Sequence, residues 1–198
     1  MLLPDSYYHI FNHANGDDNL FREEKNYDFF LLKYHQHIDP IADTIARCLM
    51  KKHFHLLVKI KGEEEILSTF PKFRTLEKLE YRQKFISKQF SNFFSSYSQA
   101  FNKVYNRQGS LFIKNFKRKE NDDLQYLQKV ILYIHLNPKK HGFELDFNQW
   151  YYTSYHTFIE NNTELATDLF TNEEHYFDYH QENSTINIEY QKLENELT

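Results

Sequence analysis

Hydrophobic and polar positions follow two different periods along this chain, and the switches between them outline its elements. In His53-Phe54-His55-Leu56-Leu57-Val58-Lys59-Ile60 the pattern has period two, so Phe54, Leu56, Val58 and Ile60 share one face of a strand and His53 and His55 the other. Ser6 to Phe11 is also β-prone, and Asn12 to Asn19, with Asn15-Gly16-Asp17-Asp18, reads as a loop. From Glu23 the period becomes helical: Tyr27, Phe30, Leu31, Tyr34 and Ile38 form one stripe, which Asp39-Pro40 ends. Thr44 to Met50 reads as a second strand, joined through a tight Lys51-Lys52 hairpin to the strand of His53 and His55. Gly62 to Glu80 is charged and irregular, an insertion with helical pieces. A long helix is expected from about Arg82 to Tyr105, on the stripe Phe90, Phe93, Phe94, Tyr97, Phe101 and Val104. After the turn Asn106-Arg107-Gln108-Gly109, Ser110 to Phe116 reads as a fourth strand continuing into Lys117-Arg118-Lys119. Asn121-Asp122-Asp123 can cap a last clear helix, Leu124 to about Asn137, which Pro138 follows.

The order strand, helix, strand, strand, helix, strand, helix predicts an α+β fold. An antiparallel β-sheet with helices packed on one face accommodates it, in a ferredoxin-like βαββαβ core followed by one more helix. Residues 1–159 are expected to form the main domain, and residues 160–198 a polar, acidic C-terminal extension of short helices or partial disorder.

Composition narrows the class. With 18% aromatic residues and only four Gly and four Pro, the chain is a packed globular one and not a disordered one. No apolar run is long enough to cross a bilayer, so no membrane role is expected. Met1-Leu2-Leu3-Pro4-Asp5 lacks the features of a secretory signal, and the lone Cys48 reads as a small buried hydrophobe; a cytoplasmic protein is the expectation. The net charge of −4 hides an asymmetry: residues 160–198 carry −9, which leaves +5 on residues 1–159. A mildly basic body is compatible with a polyanionic substrate.

Candidate chemistry centres on the two strand imidazoles, which form half of a metal site. Taken alone, such a pair is more often half-buried structure than a ligand set. On the last helix, Leu124, Leu127, Ile131 and Ile134 form the core stripe, and Tyr126, Val130, Tyr133 and Asn137 a second one. Tyr133 and Asn137 are one turn apart and so neighbours, whereas His135 points roughly 160° from Tyr133. If this helix packs near the histidine face, Asn137 could be a third ligand with Tyr133 above the metal. Two neutral imidazoles and an amide oxygen suit a hard divalent cation with open positions for phosphate oxygens. By base rate Tyr133, one of fifteen tyrosines, is a packing residue, and Tyr126 is a decoy that only packs. His35 and His37 diverge on their helix and read as surface; His9 and His13 read as strand or loop histidines, and His141 as a helix-end cation. Lys114, Lys117, Arg118 and Lys119 are candidate phosphate contacts, although a charge run is usually a solvated face.

Several segments together resemble a known family. Tyr8-His9-Ile10-Phe11-Asn12, Cys48-Leu49-Met50 followed by His53-Phe54-His55-Leu56-Leu57-Val58, Gly109-Ser110-Leu111-Phe112, and Tyr133-Ile134-His135-Leu136-Asn137-Pro138 look like the HUH single-tyrosine transposases, in the branch of the REP-associated tyrosine transposases. The match spans about Ser6 to Phe158, with the motifs in family order. The resemblance implies that His53, His55 and Asn137 are metal ligands for Mg²⁺ or Mn²⁺ and that Tyr133 is the catalytic nucleophile. It implies nicking and strand transfer on single-stranded DNA beside a hairpin, through a 5′-phosphotyrosine intermediate. A homodimer that completes the site by exchanging helices is compatible with it. DNA contacts are expected from Lys51, Lys52, Arg107, Lys114, Lys117, Arg118 and Lys119. The chain departs from the family at Met50-Lys51-Lys52, where the family has Met-Pro-Asn. The change either strengthens phosphate contacts or marks a domesticated, catalytically weakened nucleic-acid-binding protein on the same fold.

Overall fold

Tyr7–His13 forms β1, Ala42–Leu49 β2, His53–Ile60 β3 and Lys117–Glu120 β4. This computed structural model describes residues 2–75, 78–120, 123–142 and 146–184. The strands pair antiparallel in the order β2-β3-β1-β4, the arrangement of a ferredoxin-like core, so the fold is α+β as expected. Among the described residues, no helix is long and apolar enough to cross a membrane.

The period-two alternation divides two cores. Tyr8, Ile10, Phe54, Leu56, Val58 and Ile60 face α1 (Glu24–His37) and the long α3 (Leu79–Val104), whose stripe of Phe90, Phe93, Phe94, Tyr97 and Phe101 is buried there, while Val104, its expected last member, is exposed at the helix end. Phe11, Ala46, Cys48 and Leu57 face the opposite way, against α4 (Leu124–Lys140). The two core helices thus lie on one face, and the tyrosine-bearing helix covers the other. The helical piece of the insertion is α2 (Glu63–Thr69), which precedes a short 3₁₀ turn at Pro71–Thr75.

The fourth strand lies further along than its sequence pattern predicted. Leu111 and Phe112 are both buried, and this stretch joins the end of β1 only through an isolated bridge between Phe112 and Ala14, with Ile113 N–H donating to His13 O, and not through a ladder. Two adjacent residues sunk into one core cannot belong to a strand that alternates faces. Asn115 then takes a left-handed φ of 66°, and the ladder forms on the charged run Lys117–Glu120. An edge strand tolerates such charge because one side of it meets water.

Helix α4 continues to Lys140, past the expected stop at Pro138. Proline removes a donor only at its own position, and His141 N–H resumes the ladder by donating to Asn137 O at 3.1 Å. At the start of α4 the Asp123 carboxylate accepts from Tyr126 N–H, as a cap should; Asn121 and Asp122 lie outside the described residues. Beyond Phe158 follow three short helices: α5 (Phe158–Asn161), α6 (Thr163–Phe170) and α7 (Glu173–Glu182). Ala166, Leu169, Phe170 and Tyr176 are buried in the same core as α4. Residues 185–198 of the acidic stretch lie outside the described residues.

Candidate active site

The hairpin of β2 and β3 aims the first imidazole. Met50 N–H donates to His53 O at 2.8 Å and His53 N–H returns to Met50 O at 3.2 Å, so Lys51-Lys52 closes a two-residue turn without the Pro-Asn of the resembled family. Both lysines are exposed at its tip, beside His53. In β3, His53 and His55 then share the face turned toward α4, with ring centroids 5.3 Å apart at 78°.

Helix α4 brings Tyr133 and Asn137 onto this pair within one chain. The Tyr133 ring stands edge-on to His55 at 5.2 Å, and Asn137 Oδ1 lies 3.4 Å from His53 Nε2. Asn137 Nδ2 donates to Tyr133 O at 2.9 Å, which fixes the amide so that its oxygen turns toward His53. The four side chains that the sequence pairs at a distance of some eighty residues therefore meet. They are well buried: His53 is 6% exposed, His55 2%, Tyr133 2% and Asn137 0%.

Three more histidines, which by sequence alone read as strand, loop and helix-end residues, surround the pair. The β1–β3 register puts His13 opposite His53 and Phe11 opposite His55, so His9, Phe11 and His13 share the histidine face. His13 stacks on His53 at 4.8 Å, and His141 meets the same ring at 4.6 Å. His9 Nε2 lies 3.0 Å from His55 Nδ1. The i, i+2, i+4 spacing of His9, Phe11 and His13 was a usable signal, but only the register says which strand they face.

Burial sets the protonation states. It lowers the His53 pKa to about 3, assisted by His141 and His13, and the His9 pKa to about 3, assisted by Lys119. His55 is pushed well below its ordinary value by burial and then by His9. The imidazoles are thus neutral at pH 7, with lone pairs to offer. Burial pushes the Tyr133 phenol up to about 12, against a smaller lowering from the Asn137 side chain.

The donor set fits a divalent cation. Ligands about 2.1 Å from an octahedral ion in adjacent positions sit about 3 Å from each other, close to the separation of His53 Nε2 and Asn137 Oδ1. His55 offers Nε2 when its Nδ1 carries the proton and donates to His9 Nε2. The His9 proton then sits on Nδ1, which is buried without a hydrogen-bond partner among the described residues. Among the described residues no three His, Cys, Asp or Glu side chains are placed to hold a metal ion. The predicted set avoids that limit because its third member is an amide.

The basic candidates divide. The β1–β4 register puts Lys117 opposite Phe11 and Lys119 opposite His9, on the histidine face. Arg118 alternates to the other face, and Lys114 lies just before the strand on that same side, in the groove against α3. Arg107 is not brought to the site. Its guanidinium pairs with Asp18 at 2.6 Å and donates to the Asn102 amide oxygen and to the carbonyls of Gly109 and Ser110. Tyr126 is half-buried against the α4 core, with Lys119 Nζ 5.0 Å from its ring, and His35 is an exposed partner of Asp39.

No family model and no curated protein matches this chain. Among solved structures it is similar to a REP-associated tyrosine transposase bound to a REP hairpin, with a TM-score of 0.54 and 14% identity, over 79% of this chain and 81% of that one. At that identity the likeness is one of fold alone.

Proposed function

We propose that the chain is a transposase-type enzyme that nicks and rejoins single-stranded DNA beside a hairpin, with Tyr133 as nucleophile. The observation that carries this reading is the meeting of Tyr133, Asn137, His53 and His55 in one buried cluster. The fold it shares with a hairpin-bound transposase supports it. His53, His55 and Asn137 would hold Mg²⁺ or Mn²⁺, which when bound polarises the phosphodiester and offsets charge in the transition state.

The chain's own residues do the rest. Tyr133 Oη forms a bond to phosphorus while the P–O3′ bond breaks, leaving a 5′-phosphotyrosine and a free 3′-hydroxyl. The phenol proton must leave before or during attack, because a phenol held up to about 12 is a weak nucleophile at neutral pH. Lys117 and Lys119, on the edge strand opposite Phe11 and His9, would meet the incoming phosphates. The phosphoester bond to tyrosine conserves the energy needed to rejoin strands without ATP.

One observation favours the second reading, a catalytically weakened DNA-binding protein. Tyr133 is 2% exposed, so little of its side chain is open to an incoming phosphate. Incubation with a labelled single strand carrying a hairpin, in Mn²⁺, separates the two. A covalent protein–DNA adduct on a denaturing gel that disappears in Tyr133→Phe is expected. Binding without any adduct would leave only the second reading.

A further inference from the structure

Helix α3 buries its aromatic stripe and turns a different face outward. Ser87, Lys88, Ser91 and Ser95 on that face, with Lys114 and Arg118 from the approach to β4, line a groove of about 780 Å³. Among the described residues no Asp or Glu lines it. Of its cations, Lys84 is tied to Glu80, whereas Lys88, Lys114 and Arg118 have no carboxylate partner among the described residues. One hydroxyl of the face has a proton to give: Ser95 Oγ accepts from Gln99 Nε2, whereas Ser91 donates to Ser87 O and Ser87 Oγ is buried in the wall.

We propose that this groove holds the sugar–phosphate backbone of a DNA duplex, next to the single strand that enters the Tyr133 site. The second half of the statement rests on the strand-transfer reading; the first does not. Hydroxyls and ammonium groups recognise phosphates without reading bases. Binders of unpaired strands instead offer free rings on which bases stack. Here Phe94 and Phe112 are buried, and Phe116 packs against Phe90 and Phe94. The edge strand connects the two regions. Arg118 points to the groove, while its neighbours Lys117 and Lys119 point to the histidine face, so positive charge continues across β4 from one side of the sheet to the other.

The test uses the full chain at low salt and two fluorescent probes: a short duplex with a single-stranded overhang, and the overhang strand alone. The variant is Lys88→Glu/Ser91→Glu, both exposed positions where glutamate keeps the helix. Duplex affinity is expected to fall about tenfold or more, with the log–log salt dependence shallower by about one, while affinity for the single strand is unchanged. Lys88→Ala/Lys114→Ala is a second variant expected to shift in the same direction should the glutamates perturb α3. Unchanged duplex binding in both variants overturns the proposal, as does equal weakening on both probes, which would assign the groove to the unpaired strand. No duplex binding by the wild type overturns it too. Adduct formation is scored separately: groove effects with no adduct remove strand transfer and keep the groove, and an adduct without groove effects does the reverse.

Discussion

Asn137 answers two demands at once. Its amide nitrogen is anchored on Tyr133 O one turn earlier, and its oxygen is turned to His53. A carboxylate in its place would lose the donor, and an alanine would remove the amide oxygen that lies beside His53. The proposed ion should therefore be visible without any DNA. With Mn²⁺ at ten times its dissociation constant, linkage gives about 1.4 kcal/mol, a rise in melting temperature of about 3–5 °C for a domain of this size. His53→Ala should abolish that rise; an equal rise in the variant would remove the divalent cation from this site. Tyr133 and Asn137 were legible in the sequence because helical geometry is local. His9 was not, since its partner His55 is 46 residues away and reached only through strand pairing.

Among the elements, loops and edges hold most of the surprises. Arg107 stands in a turn rich in charge and amide, which is how a phosphate-binding residue also looks in a sequence. In the fold its guanidinium joins the loop of Asp18 to the turn ending at Ser110, and Gly109 supplies the turn with a left-handed φ of 86°. Hydrogen bonds to a charged group contribute about 1.5–3 kcal/mol. Arg107→Ala is therefore expected to cost about 2 kcal/mol in urea denaturation, and Arg107→Lys to recover little of it, since an ammonium cannot reproduce the fork. A neutral result would mean that the two loops hold each other by packing alone. The displaced β4 has the same origin: hydrophobicity marks Leu111 and Phe112 as core, but core plugs and core strands share that mark.

For the whole molecule, the consequential feature is how many histidines it buries. His9, His53, His55, His135 and His180 are all sunk in the two sides of the fold, and burial lowers the pKa of each, to about 3 for His9 and His53 and about 4 for His180. His135 and His180 lie 3.0 Å apart and tie α7 to α4. Folded, these rings stay neutral; unfolded, they take up protons below about pH 6.5. Stability is thus whole above that pH and falls as the pH drops toward the folded values. Each proton is worth about 1.4 kcal/mol per pH unit, so five together remove about 5–7 kcal/mol by pH 5.5. That is comparable with the entire stability of an ordinary domain. Urea midpoints should fall steeply between pH 7 and 5.5, and equal midpoints across that window would contradict the burial of these rings as neutral groups.

Local order was written into the chain itself. Period-two alternation in His53–Ile60 and the central parts of the helical stripes of α1, α3 and α4 follow from backbone geometry that any neighbour-to-neighbour pattern reveals, whereas Val104 and Leu124, at stripe ends, stand exposed. The strand-and-helix order then restricted the topology to few candidates, and the α+β sheet was among them. What only folding decided was proximity between distant segments: which histidines crowd the pair, which cations share their face of the sheet, and which merely bind loops together. Those outcomes depend on strand register and on burial, and both are properties of many residues acting at once rather than of any motif.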